Sequence, residues 1–161
     1  MKKAEKTNAL RMLSQQKIPF EAHDYTDSGA VSGADVAAAL GEDPEKVFKT
    51  LVTVGKSGQH YVFVLPVCRE LDLKKAAAAV KEKNVAMIPQ KELLPLTGYI
   101  HGGCSPIGMK KLFPTVLHIS AGELDTLCVS GGRIGLQVEL TPADLGKLAP
   151  YTLADIATEE V

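Results

Sequence analysis

Lys49 stands where a short helix over Asp43 to Phe48 is expected to hand over to a strand, Thr50 to Val54. An ammonium at such a junction can reach into a cleft and hold a phosphate or a carboxylate as a point charge. An ordinary surface lysine is the competing reading. The run Gly102-Gly103-Cys104-Ser105-Pro106 is a second candidate. Adjacent glycines let backbone approach a ligand, and Pro106 stiffens the exit, so N–H groups there could meet an oxyanion. A tight structural turn would look the same. Cys104 is three residues from His101. A Cys–His pair can form an acyl-enzyme, although that spacing in a loop is no reason for contact. As zinc ligands the pair would need two more partners, and His23, His60, His118, Cys68 and Cys128 are scattered along the chain. No metal and no cofactor is therefore expected. Ser130-Gly131-Gly132-Arg133 fits an anion site or a plain hairpin turn. Phosphate loops, dinucleotide fingerprints and His-Glu-x-x-His motifs do not occur.

These residues need elements to hold them. Leu10 and Leu13 among strong helix formers predict a first helix over 4–17. Phe20 to Tyr25 reads as a short strand. Ser32 then caps a short helix that Gly41 stops, and Asp43-Pro44 opens another. Thr50–Val54 and Tyr61–Leu65 flank Lys56-Ser57-Gly58 as an antiparallel hairpin. Asp72 caps a helix from Leu73 to Lys83 with Asn84 as its stop. Val85 to Ile88 is a strand, and Gln90 to Leu94 a helical turn halted by Pro95. Residues 97–109, with four glycines and a proline, form a constrained loop. Strands follow at Thr115–Ile119, Leu127–Ser130 and Ile134–Leu140, the last two a hairpin. Thr141 caps a short helix, and Leu153–Ile156 is a last strand. Interleaved helices and hairpins predict an α+β fold with a mixed, curved sheet.

At 161 residues and 45% apolar, the chain suits a single domain over 1–161 with a real core. A net charge of −1 excludes a strongly basic nucleic-acid binder, and 5% aromatics with no Trp argue against an aromatic stacking platform. The balance is uneven along the chain. Residues 49–111 hold ten basic and four acidic side chains, a local +6 that contains both Lys49 and the Gly102–Pro106 loop. A local basic face toward phosphates is compatible with this; solvated helix faces are the bland alternative. Three distant cysteines are no disulfide framework. The charged start Met1 to Lys6 has no apolar run behind it, and no stretch approaches a membrane span. A cytoplasmic protein without a membrane partner is expected.

Taken in order, Val47-Phe48-Lys49-Thr50-Leu51, Leu71-Asp72-Leu73-Lys74-Lys75, Thr97-Gly98-Tyr99, Gly102 to Gly108 and Val129-Ser130-Gly131-Gly132 resemble the YbaK/EbsC family. Its members are free-standing relatives of the editing domain of bacterial prolyl-tRNA synthetases. The resemblance runs from about the first helix to about Ile156. It implies a compact α+β domain around a barrel-like mixed sheet and deacylation of Cys-tRNA(Pro). Its partners would be the cysteine-bearing acceptor end of tRNA(Pro) and, in a ternary complex, prolyl-tRNA synthetase. It places the family lysine on Lys49 with Thr50 beside it, and the Gly-x-x-x-Pro loop on Gly102 and Pro106. The family tyrosine falls on Tyr25 and the serine before paired glycines on Ser130. Lys49 and Gly102 are then the expected catalytic positions. Tyr25, Thr50, Gly103, Cys104, Ser105, Pro106, Ser130 and Gly131 are the expected substrate contacts. Two positions depart: a common aromatic has only Val31 or Ser32 in its place, and a frequent aspartate is Gln137 here.

The resemblance also implies a mechanism in which the cysteinyl thiol attacks its own ester carbonyl. The enzyme then supplies geometry and oxyanion donors. Three other readings stay open at this level: a binding module without activity, a preference for alanyl or seryl esters, and a hydrolase using the Cys104 thiol.

Overall fold

In the computed structural model, which describes residues 7–31 and 33–158, five α-helices are interleaved with eight strands among the described residues. The order is α1 (Asn8–Gln15), β1 (Glu21–Asp24), α2 (Gly33–Leu40), β2 (Phe48–Gly55), β3 (His60–Pro66), α3 (Leu73–Val80) and β4 (Val85–Met87). It continues with α4 (Gln90–Thr97), β5 (Thr115–His118), β6 (Leu127–Ser130), β7 (Leu136–Leu140), α5 (Pro142–Leu148) and β8 (Tyr151–Ala154). The expected α+β class is found, with its strands divided between two sheets. The larger has the order β4-β2-β3-β5-β8, the smaller β1-β7-β6. The larger sheet is mixed: β3 is antiparallel to β2 and parallel to β5. The two sheets meet where Val47 bridges Cys128, with Cys128 N–H donating to Lys46 O at 2.9 Å.

Both expected hairpins form, β2–β3 and β6–β7. A strand's side chains alternate between its faces, so β3 feeds two cores. Tyr61, Phe63 and Leu65 pack with Ala76 and Ala77 of α3 and with Val116. Val62 and Val64 face the other way, into the core they share with Val129 and Val138 of the smaller sheet. The alanines of α3 let the helix lie close to the large sheet. Asp72 caps it, accepting from the N–H groups of Lys74 and Lys75.

Several boundaries differ from expectation. No helix forms over Asp43 to Phe48: residues 44–46 form a turn, and strand pairing claims the end, where Val67 N–H donates to Val47 O, Val47 joins the bridge to Cys128 and Phe48 opens β2. Lys49 is consequently the second residue of β2 rather than a residue at a junction. Helix α3 stops at Val80, where Lys81 adopts a left-handed φ of 59°, before reaching Lys83 or Asn84. Pro95 does not halt α4 but lies inside it. The helix end is closed by Thr97 Oγ1 donating to Leu93 O and Gly98 N–H donating to Leu94 O. The last strand begins at Tyr151 and ends before Asp155. The first helix covers Asn8–Gln15; residues 4–6 of its expected range, and the expected cap Ser32, lie outside the described residues.

Candidate active site

The starts of β2 and β7, the end of β6 and the loop after α4 converge on one cavity of about 330 Å³. Phe48 at its wall is 3% exposed and anchored in the core between the sheets. That fixes the β2 backbone and so brings Lys49 and Thr50 to the cavity lining. The Lys49 ammonium has no ion-pair or hydrogen-bond partner among the described residues. Thr50 Oγ1 is buried without a hydrogen-bond partner among them as well. A cation and an unpartnered hydroxyl in one cavity lining can meet an anionic or carbonyl-bearing ligand.

The loop of residues 98–108 is held rigidly from beneath. Thr97 Oγ1 accepts from Tyr99 N–H at 3.0 Å, and Tyr99 Oη donates to Ile107 O at 2.6 Å. Ser105 Oγ accepts from Ile107 N–H at 3.1 Å, and Ile107 is wholly buried. Gly102 lines the cavity with φ +87°, and a Cβ there would meet Val31 and Ile134. Of the two glycines, Gly103 has its N–H committed to Ile100 O, at 3.0 Å. A Cβ on Gly103 would stand 2.9 Å from the Arg133 backbone, so this glycine is needed for packing against the β6–β7 turn.

Six of the ten expected site residues line the cavity: Tyr25, Lys49, Thr50, Gly102, Cys104 and Ser130. Gly103, Ser105, Pro106 and Gly131 do not. Gly103, Ser105 and Pro106 are buried within the loop. Gly131 N–H donates to Leu136 O, and Gly131 O accepts from Thr7 Oγ1. These four shape the loops that carry their neighbours. Tyr25 is 6% exposed, and burial raises its phenol's pKa, which keeps it neutral and able to donate. Ser130 Oγ accepts from Gly132 N–H at 3.2 Å.

Gln137 completes the wall, opposite Ser130 in the β6–β7 register. It is 3% exposed, its Nε2 donates to Glu42 Oε1 at 2.9 Å, and its Oε1 is buried without a partner. The sequence marked it only as a departure from a family pattern. Its signal was the alternation Leu136-Gln137-Val138-Glu139-Leu140, which ordinarily means an exposed polar face. Here that face is covered.

Burial works against the Cys104 thiolate that a nucleophile needs. Cys104 is 8% exposed among core residues, and burial pushes its pKa up to about 12, so it stays protonated. No histidine ring is hydrogen-bonded to Cys104 Sγ or Ser130 Oγ among the described residues. His101 is exposed at the cavity rim.

The aminoacyl-tRNA editing domain model matches residues 27–148. A protein of Enterococcus faecalis named "Putative Cys-tRNA(Pro)/Cys-tRNA(Cys) deacylase EbsC" is 45% identical over 160 residues, covering 99% of this chain and 98% of its own. Two solved structures share the fold. One, a putative trans-editing enzyme for prolyl tRNA synthetase, superposes with a TM-score of 0.82 at 24% identity, covering 96% of this chain and 99% of its own. The other, a hypothetical protein, reaches a TM-score of 0.85 at 20% identity, covering 94% of this chain and 99% of its own. The chain belongs to the aminoacyl-tRNA editing domain family.

Proposed function

We propose that this protein is a trans-acting deacylase that clears cysteine wrongly attached to tRNA(Pro), with prolyl-tRNA synthetase able to join in a ternary complex. The observation that carries the reading is the full-length likeness to the EbsC protein. The cavity geometry supports it. A space of about 330 Å³ accepts an aminoacyl ester, and the partnerless groups that line it include a cation, a hydroxyl and a carbonyl.

In the proposed reaction the substrate's thiol sulfur attacks its own ester carbonyl. The new C–S bond forms, the bond to the tRNA 3′ oxygen breaks, and the thiol proton passes to that oxygen. Cysteine leaves as a cyclic thioester, which water then opens. Lys49 contacts the terminal phosphate or ester region, and the backbone around Gly102 stabilises the oxyanion. Thr50 Oγ1 and Gln137 Oε1 take the substrate's remaining polar groups. Holding reacting atoms in contact and supplying fixed donors can each lower a barrier by several kcal/mol.

The test is single-turnover deacylation of Cys-tRNA(Pro), Cys-tRNA(Cys), Ala-tRNA(Pro) and Ser-tRNA by the full chain. Rapid clearance of the cysteinyl esters is expected. Clearance of the alanyl ester at an equal rate would overturn the thiol's role in its own release, since alanine has no such group. Inertness toward all four would leave a binding module instead.

A further inference from the structure

His23, Glu42, Cys128 and Glu139 come from four separate stretches of chain, yet one donor atom of each lies within 4.8 Å of all the others. Strand register brings them together. His23 stands opposite Gln137 across β1 and β7, and Cys128 opposite Glu139 across β6 and β7. Opposite residues and those two apart share a face, so His23, Cys128 and Glu139 all project from one side of the smaller sheet. Glu42 reaches them from the turn after α2.

The spacing suits a small ion. His23 Nε2 is 3.0 Å from Glu139 Oε1 and 3.9 Å from Glu42 Oε2, and Cys128 Sγ is 3.7 Å from Glu42 Oε2. A tetrahedral zinc ion with bonds of about 2.0–2.3 Å holds its donor atoms roughly 3.3–3.8 Å apart. Each carboxylate is also aimed. Glu139 turns Oε1 to His23, while its Oε2 accepts from the Thr126 hydroxyl and lies 3.7 Å from Lys46 Nζ. Glu42 turns Oε2 to Cys128 and His23, while its Oε1 accepts from Gln137. Outer donors of this kind fix ligating carboxylates in place. The charges also close: a thiolate and two carboxylates would balance one dication and the Lys46 ammonium. A thiol and an imidazole among the donors favour zinc or cobalt over magnesium or calcium.

We propose that His23, Glu42, Cys128 and Glu139 bind one zinc-class divalent ion, with Cys128 giving up its thiol proton to solvent as the metal–sulfur bond forms. None of the four lines the cavity described above, so this site is separate from it. The two are joined by the hydrogen bond from Gln137 to Glu42. An ion here would clamp the turn after α2 to the smaller sheet and so hold the Gln137 side of the cavity. The inference does not depend on the proposed deacylation.

The experiment uses the full chain, freed of metal. Zinc is titrated against a chromogenic chelator, and cobalt is added in parallel to read a thiolate-to-metal charge-transfer band. One equivalent of metal and a clear band are expected. Cys128→Ser should abolish the band, whereas Cys68→Ser, at an exposed cysteine, should keep it. Thr126→Val leaves all four ligands in place and should weaken zinc binding by about 10–100-fold. His23→Ala, at a partly exposed position, should also abolish stoichiometric binding and serves if Cys128→Ser does not fold by circular dichroism. The proposal is overturned if the folded wild-type chain binds no stoichiometric metal. It is equally overturned if binding survives unchanged in Cys128→Ser or His23→Ala, or if the band vanishes with Cys68→Ser.

Discussion

Strands β3 and β7 are both covered on two sides, but by different chemistry. Every residue of β3 from Tyr61 to Pro66 is buried, and its apolar side chains meet other apolar side chains on both faces. In β7, Val138 and Leu140 face the shared core, whereas Gln137 and Glu139 face a polar layer with His23, Glu42 and Cys128. Burying polar groups costs free energy unless each finds a partner, and Gln137 Oε1 has none among the described residues. Strand β3 therefore buries its length without that cost, whereas β7 carries it at Gln137. The outer face of the smaller sheet keeps costly groups, which makes sense where they meet a ligand. The candidate active site lies at the seam between the two sheets.

The largest expected effect lies on the larger sheet. Phe63 is wholly buried, so Phe63→Ala should lower unfolding free energy by about 3–5 kcal/mol in urea titrations. Molecules still folded should deacylate at an unchanged rate. Lys49→Ala should do the opposite. Removing one charge-stabilising donor from an active site costs roughly 10²–10³ in rate, and a partly exposed side chain without partners contributes little to stability. Wild-type activity in Lys49→Ala would remove the lysine from the mechanism. Comparable stability losses in both variants would erase the contrast between the apolar core and the cavity wall, which meet on the larger sheet itself.

Much of this contrast was legible in residue order, and some was not. The β2–β3 hairpin shows itself because its strands are adjacent and separated by Lys56-Ser57-Gly58, and Asp72 announces α3. The stiffness of the loop around Gly102 was readable from its glycines and Pro106. Which glycine touches the cavity was not, because the close approach of Gly103 to Arg133 is set by a hairpin about thirty residues away. The spacing of Cys104 and His101 left a reactive thiol as one open reading, and the burial of Cys104 among core side chains is a tertiary fact. The meeting of His23, Cys128 and Glu139 is least visible of all. It depends on strand register between segments more than a hundred residues apart, and the same residues look scattered in one dimension.

A smaller effect tests the polar face directly. Gln137→Met keeps similar volume while deleting a partnerless carbonyl and one hydrogen bond to Glu42. These changes act in opposite directions, so stability should shift by less than about 1.5 kcal/mol. If Gln137 is kept for a ligand, KM for the aminoacyl-tRNA should still rise. A large loss of stability with unchanged KM would make Gln137 a structural residue and the polar layer a second core.

The smallest effect concerns pH and belongs to the larger sheet. His118, at the end of β5, is 3% exposed. Its Nδ1 accepts from Ser120 N–H at 3.2 Å, and Nε2 lies 3.4 Å from Asp155 Oδ1. Burial disfavours the charged ring and lowers its pKa; the positive charge of Arg69 acts the same way, while Asp155 and Glu45 oppose them. A histidine depressed in the folded state binds its proton first in the unfolded chain. Stability should therefore be full above the ordinary histidine value of about 6.5 and fall as pH drops below it toward the lower folded value. The Asp155 carboxyl is also lowered, chiefly by its hydrogen bond from Lys75, and adds a loss only in the carboxylate range. Urea midpoints measured from about pH 7.5 down to about pH 5 isolate the histidine window. The midpoint should decline across it in the wild-type chain and flatten in His118→Gln. An equal decline in both would assign the pH dependence to other groups and leave the larger sheet as indifferent to protons as its apolar strands suggest.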